Sequence, residues 1–426
     1  MKISILSNHM EMNPGFSLTG IIEDQIRMLH EYGHDVHLYV NSGYNNNTWP
    51  MPEDVASKCT LHKKIPFAHL IDYKSQNDLT PGHKDIVHEC KKMLLNDMQD
   101  VDVVFTHDFI FQGWFMPYGM AVREASHMLE KPRWLHWIHS IPTSHSDWWN
   151  INAYGPKHKI IFPNNTDRIL VAEQYRGETK HVRIIRHIKD LRSWEDFGQP
   201  AIDFIKKYPA IMQADIVQVY PASVDRLTAK RVNEVVHIFS EIKRRGYSVC
   251  LVIANQWATT KQHKENIQNY QRTAAMRGLV PGEDIIFTSE FEPPKYEVGI
   301  PKKFLRELMK CCNLFIFPTR EESFGLVLPE AGLGGVLCVM NKSLTMQYEV
   351  GGGPECGLFF EFGSHHSTHH VEDPNKYYRD IAFIILGRMK ENEVLQAKTF
   401  HRQTYNWNNL YDKDYLPVMA ERHTWK

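Results

Sequence analysis

Along this chain, short apolar runs of strand length alternate with stretches whose apolar residues recur every three or four positions. Polar or glycine-bearing loops separate the two. Runs of this kind suit buried strands, and the longer periodicity suits helices with one buried face. The rhythm begins with a strand over residues 2–7 and a loop from Asn8 to Gly20. A helix carrying Ile22, Ile26, Leu29 and His30 follows, closed by Gly33. Further strands are expected over 36–40, 59–61, 101–105, 134–140, 159–164 and 182–185, with helices over 84–98 and 166–176. Strand, helix, strand in repetition predicts a parallel sheet covered on both faces.

The rhythm restarts at residue 215. Strands are predicted over 215–221, 249–254, 284–290, 314–317 and 336–341. Val232, Val235, Val236, Phe239 and Ile242 mark one face of a helix that Gly246 ends. Other helices fall over 264–276, 301–309, 371–390 and 392–404. Between the two series, residues 186–213 are charged and carry Gly198-Gln199-Pro200 and Tyr208-Pro209, which places an inter-domain boundary between Lys189 and Gln213. The expected fold class is therefore α/β, with Rossmann-like parallel-sheet domains over 1–205 and 206–400.

Composition adds a few exclusions. A chain of 426 residues exceeds one core. Its 42% hydrophobic and 23% charged residues are ordinary for a soluble protein. A formal net charge of −1 gives no global attraction to nucleic acid or anionic membrane. No apolar run is long enough for a bilayer span, and Met1-Lys2-Ile3 leads straight into a strand, so no membrane-integral segment is expected. Seven cysteines without a framework spacing read as reduced thiols in the cytoplasm. No zinc spacing occurs; His365-His366 and His369-His370 follow a glycine-serine loop and read as a solvated turn. Asp100-Val101-Asp102 sits at the start of a strand and reads as solvated charge.

The chemistry concentrates after the run Leu314-Phe315-Ile316-Phe317. Pro318 and Thr319 end that strand, Glu321 and Glu322 follow in a loop, and Ser323-Phe324-Gly325-Leu326 leads into a helix holding Pro329 and Glu330. Glycine lets backbone approach a ligand closely, and a helix start favours anions, so a diphosphate suits this place. Glu322 and Glu330 lie eight positions apart, at the carboxyl end of a strand, where open α/β sheets bind ligands. This stretch resembles the Glu-x7-Glu signature of family 4 glycosyltransferases, which have the GT-B fold, and Phe324-Gly325-Leu326 and Pro329-Glu330-Ala331 match it as well.

The resemblance implies two Rossmann-like domains facing a cleft, with 401–426 crossing back onto the first domain. It also implies a metal-independent enzyme that moves a sugar from a nucleotide-diphosphate donor, UDP or GDP, to an acceptor hydroxyl with retention. The segment Asp225-Arg226-Leu227-Thr228-Ala229-Lys230-Arg231 resembles the family's Gly-Arg-Leu-x-x-x-Lys element. Arg226 and either Lys230 or Arg231 would then grip the diphosphate, with Asp225 in place of the usual glycine. Glu322 would hold the sugar and Glu330 the ribose hydroxyls, and Ser323, Phe324, Gly325, Leu326 and Asn255 would line the donor. In the first domain, Thr19-Gly20 stands for the family's glycine pair, and His139 matches a histidine beside the donor sugar. The acceptor would enter past Gly20, His107, Asp108 and His139, beside Trp137 and Trp148, and could be a glycan, a lipid-linked sugar, a small molecule or a modified nucleic acid. Three alternatives stay open: a sugar-nucleotide epimerase, a transferase acting on modified DNA bases, and a non-catalytic sugar-nucleotide-binding partner.

Overall fold

A computed structural model of the chain describes residues 1–14, 16–68, 76–110, 116–139, 150–322 and 325–421. Two compact units emerge. The first comprises residues 1–190 together with the chain from Trp407 onward, and the second runs from Leu191 to Asn406. The division lies within the segment from Lys189 to Gln213 and ahead of residue 205. The reason is the Gln199–Lys207 helix, whose Ala201, Phe204 and Ile205 pack into the core of the second unit.

The first unit holds seven parallel strands: β1 (Lys2–Ser7), β2 (Asp35–Asn41), β3 (Thr60–Ile65), β4 (Val103–His107), β5 (Arg133–Trp137), β6 (His158–Phe162) and β7 (Val182–Ile184). Their order is β3-β2-β1-β4-β5-β6-β7, with Ile3 opposite both Val36 and Val103. Side chains alternate across the sheet, so each face has its own core. Ile3, Ile5, Leu38, Phe105 and Trp137 face the Ser17–Glu31 helix on one side. Leu6, Val104, Trp134 and Ile160 face the Pro81–Asp97 and Met116–Ser126 helices on the other. Trp407, Leu410, Tyr411 and Tyr415 complete the first of these cores. Among the contacts that hold this C-terminal segment, Gln25 donates to the Tyr415 hydroxyl at 2.9 Å, His34 meets the Tyr411 hydroxyl at 2.7 Å, and Arg186 pairs with Asp414 at 3.0 Å.

The second unit holds β8 (Ile216–Ser223), β9 (Val249–Gln256), β10 (Ile285–Phe287), β11 (Leu314–Phe317), β12 (Leu337–Asn341) and β13 (Gly357–Phe360). They form two three-stranded parallel sheets, β10-β9-β8 and β11-β12-β13. The two sheets meet along β8 and β11, where side chains take over much of the ladder. The buried Gln218 amide donates to Ile316 O at 3.0 Å and its oxygen accepts from Ile316 N at 2.9 Å. Asn313 does the same for Val217 N, at 2.9 Å. The resulting order, 10-9-8-11-12-13, reverses between β8 and β11, and such a reversal opens a crevice at the carboxyl ends of the strands. The α/β expectation with two parallel-sheet units holds.

In the second unit, two strands differ from expectation. β10 is only three residues long and passes into a 3₁₀ turn at Thr288–Glu290. β13 was not anticipated; its residues are all half-buried, as befits the outermost strand.

Candidate functional site

The loop after β8 and the loop after β11 are joined by backbone. Arg320 N donates to Ala229 O at 2.9 Å, and the Tyr220 hydroxyl donates to Lys230 O at 2.7 Å. This brings Lys230 Nζ onto Glu322 Oε2, with the ammonium 5.4 Å from the centre of the Phe317 ring. Arg226 Nη2 lies 3.5 Å from Glu321 Oε1. Two cations from one loop thus face two consecutive carboxylates from the other, at the reversal point of strand order. Gly325 sits beneath them with φ +74°, and a Cβ there would come 3.1 Å from both Glu322 Cγ and Phe317 Cε1. The expected need for glycine at this turn therefore has a steric cause.

The remaining expected donor residues divide. Of the two candidates for the second cation, Lys230 meets Glu322, whereas Arg231 (φ 52°) turns onto its own helix and pairs with Glu234 at 3.0 Å. Leu326 is exposed just before the Val327–Leu333 helix. Glu330 pairs with Lys302 at 3.3 Å. It borders a hollow lined by Lys302, Leu305, Arg306, Met309 and Leu333, and among the described residues it makes no ion pair with the Lys230–Glu322 group. Asn255 departs from expectation. It is fully buried, and its Oδ1 accepts from Ser289 N at 3.1 Å, which fastens the turn after β10. Its Nδ2 has no hydrogen-bond partner among the described residues. Ser323 and Phe324 lie outside the described residues.

In the first unit, imidazoles gather at the carboxyl ends of the strands. His107 Nδ1 and His139 Nε2 are 3.0 Å apart, so one donates and the other accepts. Trp137, His107, His139 and His187 follow one another as stacked rings with centroids 5.0, 5.2 and 5.1 Å apart. His9 contacts Ser7 Oγ and lies 3.2 Å from Thr19 Oγ1. Burial lowers the pKa of His139 to about 3 and that of His9 to about 4. His107 is pushed well below its ordinary value by burial first and by the neighbouring imidazoles second. These rings are neutral at ordinary pH.

Two first-unit residues differ from expectation, Gly20 and Trp137. Gly20 is not in a loop: it belongs to the Ser17–Glu31 helix, with open space around the position of a Cβ, so no close approach demands glycine there. Trp137 is 1% exposed and packs on Phe105 and Tyr415, which makes it core and not a stacking platform. Asp108 follows β4 with φ 45°, its N–H directed at Trp137 O at 3.5 Å. Trp148 lies outside the described residues.

No protein-family model and no curated protein matches the chain. Among solved structures, a glycosyltransferase from Rickettsia africae ESF-5 aligns over 99% of this chain and 99% of its own, at 14% identity and a TM-score of 0.36. Alr3699/HepE of Anabaena, in complex with UDP, aligns over 99% and 100%, at 13% identity and a TM-score of 0.34. Sucrose-phosphate synthase of Thermosynechococcus elongatus aligns over 98% and 99%, at 14% identity and 0.33. Likeness at this level assigns no chemistry.

Two further members of the second-unit site had no sequence signal. His365 Nε2 lies 2.7 Å from Glu321 Oε2, so the histidine turn is not merely solvated. Lys302, the partner of Glu330, begins the Lys302–Lys310 helix. Both contacts join segments distant in sequence. Among the described residues no group of three or more His, Cys, Asp or Glu is placed to hold a metal, and no helix is long and apolar enough to cross a membrane.

Proposed function

We propose that this chain is a retaining glycosyltransferase, resembling family 4, that transfers a sugar from a UDP- or GDP-sugar to an acceptor hydroxyl. One observation carries the reading. Arg226 and Lys230 stand side by side with Glu321, Glu322 and a sterically required Gly325 at the point where strand order reverses. Two cations there neutralise the diphosphate as it leaves, so the electrostatic work of departure needs no metal. Glu322, an acceptor in its ionised form, then turns to the sugar hydroxyls and fixes the ring's position. Glu330 accepts from the ribose. The leaving phosphate takes the proton of the attacking hydroxyl on the same face, which accounts for retention without an enzymic nucleophile. The neutral imidazoles of His107 and His139 offer hydrogen bonds to hydroxyl groups and no charge, which suits an acceptor or sugar. Seven unpaired cysteines fit work in the reducing cytoplasm.

A thermal-shift screen with UDP, GDP, ADP and their sugar conjugates tests the proposal. A ligand at about 100 times its dissociation constant stabilises by about 2.7 kcal/mol, enough to move the midpoint by several degrees. Should every nucleotide leave the midpoint unmoved, the donor site has been misread.

A further inference from the structure

Glu321 is a carboxylate with two partners. Its Oε1 lies 3.5 Å from Arg226 and its Oε2 2.7 Å from His365. All three side chains are well exposed, at 46% for Arg226, 39% for Glu321 and 59% for His365, so a ligand reaches them. His365 is not there by chance of a floppy loop. Asn341 Nδ2 donates to Thr319 O at 2.9 Å and to Gly363 O at 2.7 Å, tying the loop after β13 to the end of β11. Ser364 Oγ then accepts from His366 N and Ser367 N, each at 3.1 Å, and shapes the turn that presents His365.

We infer that Glu321 and His365 form an exchange device for the donor diphosphate, a role that rests on the donor reading above. Without ligand, Arg226 is already paired with Glu321. A diphosphate carries more charge than one carboxylate and meets a guanidinium with two oxygens, so it takes Arg226 over. Glu321 would then stand unpaired beside an incoming anion, where like charges repel. His365 gives it a second N–H donor and holds it off the diphosphate. Glu321 therefore competes with the donor for Arg226, and His365 positions Glu321 so that the competition is lost when the donor arrives.

Calorimetric titration with UDP and with inorganic pyrophosphate distinguishes this from a purely structural contact. Glu321→Gln removes the competitor and should tighten both ligands about two- to five-fold, the scale of an exposed ion pair. His365→Ala should weaken both by a similar factor. In the Glu321→Gln background His365→Ala should change nothing, because the carboxylate it serves is gone. A Glu321→Gln variant that binds no better than wild type, or a His365→Ala effect that persists in the Glu321→Gln background, overturns the exchange while leaving the donor site standing. Failure of wild type and every variant to bind either ligand overturns the donor reading and the exchange together.

Discussion

Lys230 and Glu322 expose only 13% and 18% of their side chains, so each depends on the other for what water would otherwise supply. Removing one partner of a fully buried pair costs about 3–5 kcal/mol, and the residual exposure here reduces that to about 1–3 kcal/mol. Lys230→Met and Glu322→Gln should each destabilise by that amount in urea unfolding. The double variant should cost less than their sum, and strict additivity would show that the two charges do not depend on each other. Gly325→Ala places a methyl group at φ +74° against Glu322 and Phe317. It should cost about 1–3 kcal/mol from backbone strain and crowding, and shrink the coupling between Lys230 and Glu322 as the glutamate is pushed aside. Glu322, Lys230, Arg226 and Gly325 were legible because a strand end, a glycine and charged residues at fixed spacing are local features. Glu321's second contact was not, because His365 arrives from another crossover and nothing near it in sequence announces a partner.

At the scale of elements, most strands and helices could be read because each is buried on a regular period. The misreadings have tertiary causes. Pro14-Gly15 and Thr19-Gly20 mark a loop by local chemistry, yet the helix begins at Ser17 because Leu18 is buried and Thr19 reaches His9. A strand over 284–290 overruns the apolar residues Ile285, Ile286 and Phe287, because Thr288 and Ser289 bond to Asn255 and turn the backbone after three residues of pairing. β13 escaped notice because its glycine and half-buried residues lack a core strand's apolar density. Gly20 supplies a test of the corrected helix. With open space at its Cβ position, Gly20→Ala should raise stability by about 0.5–1 kcal/mol, read from the denaturant midpoint at unchanged slope. A loss of stability would mean that the backbone there needs glycine after all.

At the scale of the whole molecule, buried histidine is distributed unevenly. In the first unit, burial lowers His136 to about 3, His139 to about 3 and His9 to about 4, and drives His107 far down. His181, also in that unit, is lowered to about 4 by burial and by Lys159 and Lys180. In the second unit only His237 is brought as low among the described residues, to about 4. A histidine whose folded pKa lies below its unfolded value of 6.5 lends its full stability above pH 6.5 and loses it as the pH falls toward the folded pKa. Each fully buried ring such as His136 costs up to about 1.4 kcal/mol per pH unit over that window. The first unit should therefore fail before the second on acidification from pH 6.5 toward 4. Carboxylates with raised folded pKa, Glu23, Asp24 and Asp414 in the first unit and Glu234 and Glu290 in the second, act in the opposite direction but occur in both units. Among the described tryptophans the buried ones, Trp134, Trp137 and Trp407, all lie in the first unit, which also holds the exposed Trp49, whereas the second unit's Trp194 and Trp257 are exposed. Tryptophan emission should shift to the red at a higher pH than that at which far-ultraviolet circular dichroism, which sees both units, loses half its signal. Replacing His136 with Asn should bring the emission transition to lower pH, whereas coincident transitions in the wild type would mean that the two units unfold as one.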